Sequence, residues 1–203
     1  MKISKHTGCI LLMLAMLCPV KISCAENTDA NLALLIGINT YPHLPPKYRL
    51  KGCVNDVRLM ENLLVNTFRF QTKNIKTLTD DQAVKEHIIQ TFENFLISNA
   101  EKHSQIVIFF SGHGGRMTDL HHDETDGLDE TILPFDAHRD FSKECKDISD
   151  DEFRDLLTRL GEKCENITVI LDSCHSGSGT RGEDIPKQVD DIFKIDSSKA
   201  KLN

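Results

Sequence analysis

An α/β fold with a mainly parallel sheet, covered by helices on both faces, follows from three features of this 203-residue sequence. Three continuous apolar runs, Leu32–Ile38, Ile106–Phe110 and Ile167–Leu171, and a shorter strand-forming stretch, Ile75–Leu78, recur along the chain. Stretches with helical periodicity separate them, and glycine-rich polar sequence follows the third and fourth strands. Strands buried on both faces read as unbroken apolar runs, and strand–helix alternation supplies the crossovers that parallel pairing needs.

The amino terminus is set aside first. Lys2, Lys5 and His6 precede the apolar run Cys9–Val20, and Ser23 and Ala25 stand before Glu26 in the spacing of a cleavage site. This is the layout of a secretory signal peptide, and the run is too short to span a bilayer comfortably. The expectation is a leader over 1–25, a catalytic-size domain over 26–181 and a polar tail over 182–203. The protein is then secreted or periplasmic, with no stable membrane insertion after cleavage.

Within the domain, Leu32–Ile38 is the first strand. Asn55–Phe68 is a helix, with Val57, Met60, Leu63, Leu64 and Phe68 on its apolar face and Asn55 as cap. Ile75–Leu78 is the second strand. Asp80 or Asp81 is expected to cap one long helix to about Asn99, with Val84, Ile88, Phe92, Phe95 and Leu96 at the 3.6-residue period. Ile106–Phe110 is the third strand, and Gly112–Glu130 reads as loop. Ser149, with Glu152 three residues on, opens a helix over Ile148–Leu160 that Gly161 stops. Ile167–Leu171 is the fourth strand.

Composition narrows the function. Lys and Arg number 24 against 31 Asp and Glu, a formal net charge of −7. Removing the leader takes away three lysines and no acid. An acidic chain has no global attraction for nucleic acid or anionic lipid, and with no Trp and two Tyr it lacks a base-stacking platform. Cys53, Cys145, Cys164 and Cys174 remain after the leader, without the C-x-x-C spacing of a zinc ribbon. His121-His122-Asp123 likewise lacks the spaced partner ligands that zinc requires. Export permits disulfides, and a Cys145–Cys164 bridge around the third helix is one use of the thiols.

Sites in open α/β sheets lie beyond the carboxyl ends of the strands. The third strand runs into Ser111-Gly112-His113-Gly114-Gly115, and the fourth into Asp172-Ser173-Cys174-His175-Ser176-Gly177. His113 alone would read as a hydrogen-bonded loop histidine, and Cys174 alone as a small buried residue. Placed together at two strand exits, they form a thiol nucleophile with an imidazole to take its proton. Backbone amides of Gly114 and Cys174 are positioned by sequence to hold an oxyanion. His175, beside the nucleophile, is read as structural.

SGHGG after IVIFF and DSCHSG after ITVIL resemble the His and Cys motifs of the caspase-like cysteine peptidases, above all the metacaspases and their prokaryotic relatives, the orthocaspases. LALLIGINTYPHLPPKYRLKGCVNDVRLMENLL is similar to their first strand, GC-x-ND turn and first helix. The likeness runs from about Asn31 to Gly179, the large catalytic subunit, and implies a caspase-like three-layer α/β/α sandwich. The Gln-Ala-Cys signature of animal caspases is absent. The resemblance implies a cysteine endopeptidase with a His113–Cys174 dyad, acting on polypeptides with Arg or Lys before the scissile bond. Cys53, Asp56, Ser111 and Asp172 match the primary pocket, where buried carboxylates select cations; Asp56 also suits the start of a helix. Calcium is the implied cofactor, with Asp129, Asp150 and Asp151 matching its ligands and Arg181 standing where a further ligand is usual; Glu183 or Asp184 could substitute. A solvated acidic loop and an acid-rich first helical turn explain the same residues without a metal. With Cys53 in the pocket that Cys174 serves, reversible oxidation of Cys174 is a second use of the thiols.

Relatives continue beyond the Cys motif with a segment that adds two strands. Here the segment after Cys174 is polar, so the fourth strand is expected to present an edge. A large-subunit-only peptidase, an assembly in which a partner covers that edge, and a truncated product all meet this expectation. So does a catalytically silent binding or assembly module.

Overall fold

The computed structural model describes residues 30–119, 121, 124–140 and 142–173. The leader, Cys174, His175, Arg181 and the polar tail lie outside these residues. In chain order the elements are β1 (Leu32–Gly37), α1 (Cys53–Asn66), β2 (Ile75–Thr79), α2 (Lys85–Thr91), β3 (Gln105–Ser111), β4 (Gly114–Thr118), β5 (Leu128–Ile132), β6 (Ile148–Ser149), α3 (Asp150–Gly161) and β7 (Asn166–Asp172). Four of the strands form a parallel sheet in the order β2-β1-β3-β7. This is the expected caspase-like α/β architecture.

Side-chain alternation builds the three layers. Ala33 and Leu35 of β1, with Phe109 of β3, face Val57 and Leu64 of α1. Leu34 and Ile36, with Ile106, Ile108 and Phe110, face the opposite layer, where Ile88, Phe92, Leu96, Leu156 and Leu160 pack. Every residue of β1 is buried, which is why it reads as an unbroken apolar run. Each large side chain in this core contributes about 1.5–3 kcal/mol relative to exposure.

The helix starts differ from expectation because their caps come from elsewhere. α1 begins at Cys53, two residues before Asn55. The Cys53 amide donates to the Asn39 side-chain oxygen at 3.0 Å, and Asn55 instead accepts from Arg58. The single helix from Asp80 is replaced by a 3₁₀ turn at Asp80–Gln82 with a Thr79–Gln82 capping box, an extended Val84, α2, and a π-helical stretch over Phe92–Ile97. Asp80 does not cap α2, since its carboxylate is committed to Asn39 and Thr40. Asp136, from a distant loop, takes the Lys85 amide at 2.9 Å. α3 starts as the sequence implies, with Ser149 accepting from the Glu152 amide at 3.2 Å.

Residues 112–130 are not simply loop. β4, β5 and β6 form a second, antiparallel sheet, with Gly114 opposite Ile132 and Thr118 opposite Leu128. The connecting turn includes Gly127 at φ +72°. Two of its inward positions are Asp129 and Thr131, so no apolar alternation betrays these strands. The suggested Cys145–Cys164 bridge is also absent: both are free thiols. The Cys164 sulfur donates to the Ser104 carbonyl at 3.0 Å, and burial pushes the Cys145 thiol up to about 12.

β7 is the outer strand of the described sheet, and Ile170 and Leu171 are 37% and 41% exposed. At the same carboxyl end of the sheet, α1 crosses the end of β1 closely. A Cβ on Gly37 would lie 2.6 Å from both the Cys53 carbonyl oxygen and Val57 Cγ2. Gly37→Ala should therefore destabilise the fold by about 1–3 kcal/mol, measured as a lowered denaturation midpoint; an unchanged midpoint would contradict this close approach.

Candidate functional site

The parallel register brings the strand exits side by side. Ser111 pairs with Gly37 on one side and with Asp172 on the other. The ladder continues past the strand ends, with the Ile38 amide donating to the Ser111 carbonyl at 3.0 Å and the Gly112 amide to the Asp172 carbonyl at 3.4 Å. The exits of β3 and β7 therefore lie side by side along one edge of the sheet.

Three of the four pocket residues read from the sequence meet there. The Ser111 hydroxyl oxygen lies 3.0 Å from Asp56 Oδ2 and 3.3 Å from Asp172 Oδ2. Asp56 arrives from the first turn of α1, where its carboxylate also suits the helix dipole. One hydroxyl carries one hydrogen, so it serves one carboxylate at a time. Two carboxylates converging on one hydroxyl make a site whose complement is a guanidinium or ammonium group. Cys53, one turn before Asp56, is fully buried in the main core.

His113 is also fully buried, one residue beyond the Gly112 exit of β3. Its amide donates to the Tyr41 hydroxyl at 2.8 Å, and its Nε2 lies 2.6 Å from the Tyr48 carbonyl oxygen. A carbonyl only accepts, so Nε2 carries the hydrogen and Nδ1 is the nitrogen left to take a proton. The Tyr41 ring stands 5.0 Å from the imidazole, tilted, and the Tyr48 ring meets it edge-on at 5.8 Å. Burial pushes the Tyr41 hydroxyl well above the usual phenol range, so it remains a neutral hydrogen-bonding group. Gly112 is required beneath this arrangement, because a Cβ there would sit 2.7 Å from Phe110 Cζ and 2.8 Å from the Tyr41 hydroxyl. Gly114, next after His113, opens β4 and is buried. Cys174 follows the last described residue, Ser173.

Tyr41 and the Tyr48 carbonyl were not singled out by sequence reasoning. Both belong to the loop that follows β1, and β1 ends beside β3. The rule that sites gather at strand exits, applied to the first strand as well as the third and fourth, would have found them.

The acidic residues implied for calcium lie on β5 and at the start of α3. Asp129 is buried on β5, while Asp150 and Asp151 stand in the first turn of α3. The Asp151 carboxylate is 2.6 Å from His121 Nδ1 and also pairs with Arg154. Asp119, overlooked in the sequence, is buried and accepts the His121 and Glu124 amides at 2.8 and 3.0 Å. Among the described residues no group of three or more His, Cys, Asp or Glu side chains is arranged to hold a metal ion. Asp150 Oδ1 is buried without a hydrogen-bond partner among the described residues, whereas the Asp151 carboxylate is engaged by His121 and Arg154.

Residues 31–181 match the family model of the metacaspase, peptidase C14 domain. Metacaspase-1B of Neurospora crassa is 38% identical over 152 residues, 72% of this chain and 34% of that relative. Metacaspase-1 of Saccharomyces cerevisiae strain S288c is 33% identical over 160 residues, 76% of this chain and 35% of the relative. The chain thus spans about a third of the length of the curated relatives it matches. A crystal structure of a Geobacter sulfurreducens protein matches with a TM-score of 0.54 at 28% identity, covering 73% of this chain and 51% of that one.

The Tyr41–His113 contact can be tested directly. Tyr41→Phe keeps the ring but removes the acceptor of a buried amide, and should lower stability by about 1–3 kcal/mol. Urea unfolding of the two proteins measures this, and equal midpoints would show that the hydroxyl contributes nothing.

Proposed function

The chain belongs to the metacaspase, peptidase C14, family, and on that footing we propose that it is the catalytic region of a cysteine endopeptidase cutting polypeptides after Arg or Lys. The observation that carries the specificity is the convergence of Asp56 and Asp172 on the Ser111 hydroxyl, one strand exit from His113. A substrate guanidinium or ammonium placed there satisfies both carboxylates, and an acidic side chain would be repelled.

The chemistry then follows from the residues in order. His113 Nδ1 takes the proton of the Cys174 thiol, and the thiolate attacks the scissile carbonyl carbon. The Tyr48 carbonyl, accepting from Nε2, keeps the imidazole in the tautomer that can do so. Amides of Gly114 and Cys174 stabilise the oxyanion. As the tetrahedral centre collapses, the C–N bond breaks and the imidazolium protonates the departing amine. Water, deprotonated by the same imidazole, hydrolyses the thioester and returns the thiol. No step runs through a metal. Calcium, as the family resemblance implies it, would be held by Asp129, Asp150 and Asp151. The proposed compartment is extracytoplasmic, on the strength of the leader pattern.

A second reading is favoured by one observation. Ile170 and Leu171 of β7 are exposed, and a cavity of about 510 Å³ lined by Ile132, Ile148, Phe153 and Leu171 opens beside them. In this reading the chain is part of an assembly whose partner covers the β7 edge, and the partner completes the substrate cleft or replaces catalysis by binding.

Cys174→Ala and His113→Ala should each abolish hydrolysis of Arg- and Lys-ended reporter peptides, since the two act as one unit. Asp56→Asn or Asp172→Asn should lower kcat/KM on basic reporters by more than about tenfold, because each removes a charge that would face the substrate cation; in the structure Asp56 is half-buried and Asp172 exposed, not buried as the resemblance implies. Retention of activity in Cys174→Ala would sink the dyad, and preferential cleavage after Asp would sink the pocket.

A further inference from the structure

Asp80 stands immediately beyond the carboxyl end of β2, in the left-handed region at φ +44°. That backbone conformation is unfavourable for a residue with a Cβ, although Asp and Asn tolerate it better than most. Its half-buried carboxylate is committed through a single oxygen. Oδ1 accepts the Asn39 amide at 2.8 Å, the Thr40 amide at 3.0 Å and the Thr40 hydroxyl at 3.1 Å. Two successive amides and a hydroxyl converging on one ionised oxygen fix the direction in which the chain leaves β1.

The next residue in that direction is Tyr41, whose hydroxyl accepts the His113 amide. The same loop returns through Tyr48, whose carbonyl accepts from His113 Nε2. It closes on the residue where it began: the Leu50 amide donates to the Asn39 carbonyl at 2.8 Å, and the Cys53 amide to the Asn39 side chain at 3.0 Å. Both of these hydrogen bonds to His113 therefore come from one loop, 39–50, whose two ends meet at Asn39. Asn39 is in turn gripped from outside by Asp80.

We propose that Asp80 is a positioning residue for His113, holding the 39–50 loop so that Tyr41 and the Tyr48 carbonyl set the orientation and tautomer of the imidazole. This rests on the reading of His113 as the proton-transfer group. Asp80 touches neither substrate nor reacting atoms; it acts through the loop. The strained backbone at Asp80 accords with this, because such conformations persist where surrounding contacts over-determine them.

Three substitutions separate the parts of the device. Asp80→Asn keeps an acceptor oxygen and tolerance of the backbone, Asp80→Gly keeps only the backbone, and Asp80→Ala keeps neither. The direct readout is the ring nitrogen NMR spectrum of the full chain labelled with ¹⁵N-histidine, with His113→Gln identifying the resonance. The native protein and Asp80→Asn should show the Nε2-protonated tautomer. Asp80→Gly and Asp80→Ala should show the mixed tautomers of a released imidazole. On Arg-ended reporters, kcat should fall about 10- to 100-fold in Asp80→Gly, with KM little changed, and Asp80→Asn should restore it. If Asp80→Ala does not fold, the comparison of Gly with Asn still decides. A native tautomer signature in Asp80→Gly, or equal loss in Asp80→Asn and Asp80→Gly, would overturn the proposal. Failure of the peptidase reading looks different: the native chain would show no hydrolysis sensitive to His113→Ala, while the tautomer comparison would still report whether Asp80 sets the ring.

Discussion

Thr79, Gly37, Ser111 and Asp172 lie abreast because four parallel strands share one register, and the geometry of the site descends from that alignment. Side chains alternate along a strand, so a slip of one residue would turn Ser111 and Asp172 to the opposite face and move Ile36 or Phe110 into a layer packed for other side chains. Burial of the β1 and β3 side chains on both faces holds the register, and the polar exits inherit it. Asp80, Asn39, Ser111 and Asp172 then follow one another along the carboxyl edge in the spatial order of the strands. Contacts between residues distant in sequence, such as Ser111 with Asp56 and the His113 amide with Tyr41, become contacts between neighbours on that edge.

Much of this was legible in the sequence. The apolar runs marked β1 and β3 because those strands are covered on both faces, and α3 was marked by a local cap that the structure retains. Grouping Asp56 with Ser111 and Asp172 was legible through the family resemblance and the strand-exit rule. The rest was hidden wherever a polar group serves a distant partner. Asp80 looked like a helix cap, yet its carboxylate grips Asn39 and Thr40, and the residue that takes the Lys85 amide is Asp136. β4 and β5 escaped notice because Asp129 and Thr131 occupy inward positions. Nothing local marks Tyr41 as a neighbour of His113.

Asp147 shows why such polar positions are retained in a core. It is buried, accepts from Thr131 at 3.2 Å and pairs with Arg139 at 3.0 Å, while its own carbonyl accepts from Lys85 at 2.9 Å. Burial pushes its carboxyl above the usual carboxylate range, against the pull of Arg139. A buried pair of this kind adds little net stability over an apolar substitute, but losing one partner strands the other's charge. Its effect here is directional: it joins the second sheet, the start of α2 and the 133–149 connection around one point. Arg139 would lie only 3.1 Å from a Cβ at Gly115, so the same point bounds the strand that leaves His113.

The exposure of β7 grades the sheet from within. β1 lies between two strands and β3 joins it to β7, whereas among the described residues β7 has a neighbour on one side only. Its amides therefore belong to a unit that opens more readily than the centre, and they exchange hydrogen with solvent sooner than those of β1. His113 follows the strand at the centre of the described sheet, and Asp172 ends the strand at its margin. The two sides of the proposed cleft consequently differ in intrinsic protection, and any molecule that seals the outer strand raises the protection of one side while leaving the other nearly unchanged.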